Sequence, residues 1–175
     1  MAIFTIGHST RAIDEFIEIL RAYAIERIVD IRTMPRSRHN PQFNRESLSQ
    51  FLRNRRVSYR YLGKLGGLRS THADSVNMGW RNKSFRGYAD YMQSREFQDG
   101  IEILIKLASE KRTAIMCAEA VPWRCHRSLV ADALTVRGFV VMDLMGATSA
   151  KKHKLNPMAV VSNRTVTYPP QHAAL

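Results

Sequence analysis

The densest run of reactive side chains in the chain is Cys117-Ala-Glu-Ala-Val-Pro-Trp-Arg-Cys-His-Arg127. It follows Thr113-Ala-Ile-Met-Cys117, which reads as a buried strand, and leads into a helix expected to open at Pro122. Arg124, Cys125, His126 and Arg127 then fall in or near the first helical turn. Exposed cations there oppose the helix dipole by about 0.3–1 kcal/mol each. The free backbone N–H groups of that turn add further positive partial charge. A docked anion relieves both, which makes Arg124, His126 and Arg127 candidate ligand contacts. The competing reading has the two arginines in water or paired with Glu119 or Asp30.

Cys125 in such a turn has its thiolate favoured by the dipole and by neighbouring cations, as a nucleophile requires. The alternative is a small apolar residue packed under the helix. Cys117, at a strand end, is the second candidate thiol or part of the core. Six residues separate Cys117 from Arg124, one more than in a Cys-x5-Arg phosphate loop, so a tyrosine-phosphatase reading gains little. Cys117, Cys125, His126 and His8 are zinc-type donors. However, Cys-x7-Cys-His lacks the close cysteine pair of structural zinc sites. Neighbours on a helix also point apart, so the sequence reading assigns no metal.

Two further segments carry polar chemistry after apolar runs. Ile3-Phe-Thr-Ile-Gly-His8-Ser9 offers Gly7 for close backbone approach by a ligand, and Ser9 as a contact. His8 is either a general base or ligand contact, or a residue that caps the next helix or packs beside Asp30. Arg27-Ile-Val-Asp-Ile-Arg32 places Asp30 and Arg32 on one side of a strand. They form a buried ion pair, or else Arg32 clamps a phosphate while Asp30 orients His8. Glu119 is a second candidate for proton transfer.

The elements that would position these residues alternate strand and helix. Residues 3–6, 27–31, 57–62, 113–117 and 139–144 read as strands. Helical spacing recurs at Ile13, Phe16, Ile17 and Leu20, with Ser9 or Thr10 as cap, and at Leu48, Phe51 and Leu52 after Asn44. It returns at Tyr88, Tyr91 and Met92, from Phe97 to Ala108, and from Leu129 to Leu134 before Gly138. Residues 68–83 read as a long irregular loop. The order predicts an α/β fold: three layers, a mostly parallel sheet with helices on both faces. Ligands bind such sheets beyond the carboxyl ends of the strands, where this chain concentrates its polar residues. Residues 1–150 form one domain in this reading. Residues 151–175 form a basic, Pro-containing tail that lies over the surface or is disordered.

The net charge is +12 with a pI near 10.3. From Arg32 to Arg69 the basic residues number ten and the only acid is Glu46. Such a field draws phosphate-rich ligands, small molecules or nucleic acid. Arg53, Arg55 and Arg56 could track a backbone and Tyr59, Tyr61, Trp80, Tyr88 and Tyr91 could stack on bases, though tyrosines at these spacings also suit a core. No Gly-x-Gly-x-x-Gly and no Gly-x4-Gly-Lys-Ser/Thr occurs, so no cofactor is assigned. No stretch approaches the roughly 20 apolar residues of a membrane span, and the N-terminus lacks the pattern of a secretory signal. A cytoplasmic protein with reduced cysteines and no membrane partner is expected.

Several of these pieces occur together in a known family. Thr5-Ile-Gly-His-Ser9, Val29-Asp-Ile-Arg32 with Pro35 and Ser37-Arg38, Tyr61-Leu-Gly-Lys-Leu-Gly-Gly67, Phe85-Arg-Gly-Tyr-Ala89, and Met116-Cys-Ala-Glu119 followed by Cys125-His-Arg127 resemble the domain-of-unknown-function 488 family of small bacterial and archaeal proteins. The resemblance spans about residues 3–146. It implies a shared fold and a single pocket built from His8, Asp30, Arg32, Cys117, Glu119, Cys125, His126 and Arg127. The leading reading is an enzyme or enzyme-like domain with a strand-end pocket for a phosphorylated, nucleotide or nucleic-acid ligand. In it Arg32, Arg124 and Arg127 bind the anion. The rivals are a non-catalytic nucleic-acid-binding module on the Arg32–Arg69 stretch, and a thiol redox or metal-sensing protein using Cys117 and Cys125.

Overall fold

In a computed structural model describing residues 1–171, the central strands are the most completely buried runs. β1 (Ala2–Gly7), β2 (Arg27–Asp30) and β4 (Thr113–Cys117) are buried almost throughout, as strands covered on both faces must be. β3 (Ser58–Tyr61) and β5 (Val140–Gly146) flank them, and β6 (Ser149–Lys152) closes the far edge. The order is β3-β2-β4-β1-β5-β6, and only the β5–β6 pairing is antiparallel.

Alternation along each strand divides the core in two. Phe4, Ile6, Ile28, Ala114 and Met116 face α1 (Ile13–Ala22) and α2 (Arg45–Arg53). Ile3, Val29, Ile31 and Ile115 face α3 (Lys83–Tyr91), α4 (Arg95–Glu110) and α5 (Arg127–Thr135). This is a three-layer α/β fold with helices on both faces. No helix among the described residues is long and apolar enough to cross a membrane.

Three local expectations need correction. The cap of α1 is Ala12 rather than Ser9 or Thr10, because Ser9 still follows β1. Its N–H bonds Ala118 O at 2.8 Å and its φ is 50°, so the chain is not yet turning into helix. Asn44 does precede α2, but its side-chain oxygen accepts from Ser37 N at 2.7 Å and leaves the helix uncapped. Pro122 opens a 3-10 turn ending at Arg124, and α5 begins only at Arg127. A proline's fixed φ suits both kinds of first turn.

Residues 151–171 also depart from a surface tail, and residues 172–175 of that expected tail lie outside the described residues. Residue 150 lies inside β6, and β7 (Val160–Ser162) and β8 (Thr165–Thr167) form a hairpin. Tyr168 is fully buried; its hydroxyl donates to Asp132 at 2.8 Å and its N–H to Asn77 Oδ1 at 2.8 Å. Asn77 in turn donates to Asp90, which also accepts from His72 N and Ser75 Oγ. Asp90 thereby organises the long loop before α3, and Tyr168 locks that loop to α5.

His153 joins the same end of the molecule to the sheet. It lies 2.7 Å from Asp132 and 3.6 Å from Asp143, which also accepts from Thr5 Oγ1. Burial alone would lower the His153 pKa, but hydrogen bonds to the two carboxylates outweigh it and raise it to about 9. A histidine raised above its unfolded value of 6.5 stabilises the fold fully below pH 6.5 and loses that contribution as pH rises through about 9. Urea midpoints should therefore fall between pH 7 and pH 10, measured by circular dichroism, and His153→Gln should flatten that fall. Identical pH profiles for the two chains would contradict this assignment.

Candidate functional site

The connections at β4 create a crevice. β1 and β2, its two neighbours, send their chains to the α1–α2 face, whereas β4 sends its chain to the α5 face. Loops parting to opposite faces leave an opening at the carboxyl ends of these strands, the usual ligand position in such sheets. A cleft of about 760 Å³ lies there. His8, Ser9, Arg32, Cys117 and Glu119 line it, as do Arg124, Cys125 and His126. Gly7, Asp30 and Arg127 are not part of its wall.

Behind one wall lies a closed polar network. Arg32 is 5 % exposed and makes a forked contact with Asp30, Nε to Oδ1 at 2.9 Å and Nη2 to Oδ2 at 2.6 Å. Nη2 also donates to Phe43 O at 2.8 Å, and Tyr59 donates its hydroxyl to Asp30 Oδ2 at 2.6 Å. Burial and the adjacent carboxylate push the Tyr59 phenol up, so it stays a donor. Arg32 Nη1 approaches His8 Nε2 at 3.2 Å, while His8 Nδ1 lies 2.8 Å from Ser9 O. A carbonyl only accepts and a guanidinium only donates, so His8 is neutral, protonated on Nδ1 and accepting on Nε2. Burial, aided by the Arg32 charge, lowers its pKa to about 4 against the pull of the Ser9 carbonyl. Its ring stacks on Phe43 at 4.4 Å. Both ring nitrogens are engaged, so His8 positions the wall and holds no free lone pair for a substrate proton. Asp30 does not orient His8 directly; Arg32 stands between them.

The sulfurs lie at the end of β4 and in the loop that leads to α5. His126 Nε2 donates to Ile31 O at 3.1 Å, which leaves Nδ1 bare. That Nδ1 lies 3.8 Å from Cys117 Sγ and 3.7 Å from Cys125 Sγ. Cys125 is extended (φ −132°, ψ 142°) and His126 is helical (φ −56°, ψ −19°), so the two side chains converge. The expectation that they diverge along one helix is corrected. Hydrogen bonding from Cys117 and the Arg127 charge lower the Cys125 thiol pKa against burial, while donation to Cys125 and burial raise that of Cys117. The three donor atoms lie within 4.8 Å of one another and are the group among the described residues suited to hold a metal ion.

Arg127 has different work from that expected. It is 1 % exposed, and its guanidinium donates to the backbone carbonyls of Glu119 and Ala120, the latter at 2.9 Å. It pins the loop after β4 against β1. Gly7 makes this possible: a Cβ there would lie 1.7 Å from Glu119 O. The backbone approaching Gly7 is therefore this loop rather than a ligand. Arg32 and Arg127 are both bound to protein acceptors, although the buried Arg127 Nε has none, and the cations facing the cleft without hydrogen-bond or ion-pair partners among the described residues are Arg124 and Arg36, both exposed. Arg36 was visible in sequence as a cation following β2, but nothing there set it apart from Arg38. Gly67 was missed as well. A Cβ on it would lie 2.5 Å from His126 Nδ1 and 2.9 Å from Cε1 and Cγ, so its backbone lies against the ring face.

Among known proteins, a family model described as "Domain of unknown function DUF488" matches residues 12–134. No curated protein and no solved structure matches the chain.

Removing the charge of Asp30 strands the buried Arg32 guanidinium. Asp30→Asn should cost about 3–5 kcal/mol of unfolding free energy, read from urea denaturation. A loss under about 1 kcal/mol would mean that the pair does not hold this wall.

Proposed function

The chain belongs to the DUF488 family, and from the cleft of this member we propose a binding site for a small anionic ligand of the phosphate or nucleotide class. The observation that carries the reading is the sorting of the arginines. Arg32 and Arg127 are buried and bound to protein acceptors, while Arg36 and Arg124 stand exposed at the cleft mouth, without partners among the described residues. Two exposed guanidiniums flanking one concavity suit forked contacts to phosphate oxygens. The surrounding charge of +12 raises the local concentration of anions. A cleft near 760 Å³ is the size of a small-molecule site rather than a groove for a duplex.

Further polar groups lining the cleft support the same reading. Thr10, Ser37 and Asn40 line it beside Arg36 and can donate to further ligand oxygens. Glu119 is exposed at the rim and is the carboxylate placed to exchange a proton with a bound ligand. The basic surface on α2 and β3, where Arg53, Arg56 and Arg60 are exposed, is the place for the rival nucleic-acid reading.

Thermal denaturation with phosphate, pyrophosphate, a mononucleotide and an oligonucleotide at low salt tests the proposal. At least one of the small anions should raise the melting temperature. Arg36→Ala and Arg124→Ala should each weaken its binding on the order of tenfold, and added salt should weaken it further. The reading fails if no small anion stabilises the protein, or if both variants bind like the parent. It also fails if only the oligonucleotide binds and Arg53→Ala with Arg56→Ala abolishes that binding.

A further inference from the structure

We infer that Cys117, Cys125 and His126 form a site for one divalent cation of the zinc class, with its fourth position open to the cleft. This goes beyond the anion site and stands on its own donors.

The distances match. Zinc bonds sulfur at about 2.3 Å and nitrogen at about 2.0–2.1 Å, so tetrahedral angles set the S···N separation near ~3.6 Å. The two separations in the structure, from His126 Nδ1 to Cys117 Sγ and Cys125 Sγ, are 3.8 Å and 3.7 Å. The imidazole is already in the tautomer a metal needs. Its Nε2–H is tied to Ile31 O, the kind of outer-shell bond that orients metal-binding histidines. Gly67 lies on the ring face, and Tyr88 packs near it with ring centroids 5.0 Å apart. Cys125 Sγ accepts the Arg127 N–H at 3.5 Å, an arrangement that supports a thiolate bound to a cation.

The long Cys-x7-Cys interval is bridged by the scaffold instead of a tight knuckle. The 3-10 turn at Pro122–Arg124 reverses the loop, and Arg127 clamps Glu119 and Ala120, so Cys125 returns to the end of β4. Two sulfurs and one imidazole favour zinc-like cations over magnesium or calcium, which prefer oxygen. All three residues line the cleft, which supplies both an entry path and room for a water or ligand oxygen on the cation. Binding balances simply: two thiols each release a proton to solvent, the cation takes two thiolates and Nδ1, and no oxidant is required.

The full chain, reduced and stripped with a chelator, should take up one equivalent of cobalt(II). The complex should show thiolate-to-cobalt charge transfer in the near ultraviolet and intense tetrahedral bands in the visible, and zinc should abolish both. Cys117→Ser and Cys125→Ser should each remove the charge transfer contributed by their sulfur and weaken binding by about 100-fold, with circular dichroism reporting the fold. In the unmodified protein, zinc should slow alkylation of both thiols together, a readout that depends on no variant. Equal alkylation rates with and without zinc, or cobalt spectra lacking charge transfer, would overturn the site and leave a hydrogen-bonded thiol pair.

Discussion

The forked contact between Asp30 and Arg32 is the joint on which the strand-end architecture rests. Through it β2 reaches β3 by way of Tyr59, the loop before α2 by way of Phe43 O, and the end of β1 by way of His8. Such a pair adds little net stability over well-packed apolar groups, because both charges lose water. Its value is that breaking it is costly, so four segments are held in one arrangement. The cleft inherits that rigidity: its wall is set before any ligand arrives, which lowers the ordering cost of binding.

Arg127 repeats the logic on the other side of β4. A guanidinium carries five donors in a fixed fork, so it can satisfy two consecutive carbonyls of a loop that has no ladder partner. That loop turns back on itself, and the return brings two sulfurs and an imidazole to one point. The site thus has two parts: a largely buried one of His8, Cys117, Cys125 and the partly exposed His126, and an exposed, cationic one at Arg36 and Arg124. We propose cation chemistry for the first and anion recognition for the second.

How far the sequence could be read depends on whether the signal was local. The three-layer fold was legible, because unbroken apolar runs such as Thr113–Cys117 and one-sided helices such as Ile13–Ala22 declare their burial. The meeting of His8, Arg32, Cys117, Glu119 and Cys125 was legible too, since a parallel sheet sends all its carboxyl ends to one edge. The roles of the arginines were not. Whether a guanidinium meets a loop carbonyl or open solvent depends on the path of a distant backbone, and Arg127 and Arg124 look alike in sequence. The convergence of Cys125 and His126 escaped for a related reason: it depends on a change of backbone conformation between adjacent residues, which proline at position 122 does not specify. The last strands are three or four residues long with little alternation, and Tyr168 gives no sign in isolation that it fills a core.

The sheet ends on two strands of unequal origin, parallel β3 and antiparallel β6. An open edge presents unpaired N–H and C=O groups that another chain can extend, the first step toward fibrils and swapped assemblies. Here Arg60 is exposed on one border and Lys151 and Lys152 on the other. Two copies meeting border to border would bring like charges within one strand spacing, about 4.8 Å, where repulsion opposes pairing. Part of the positive charge therefore opposes edge-to-edge pairing of two copies.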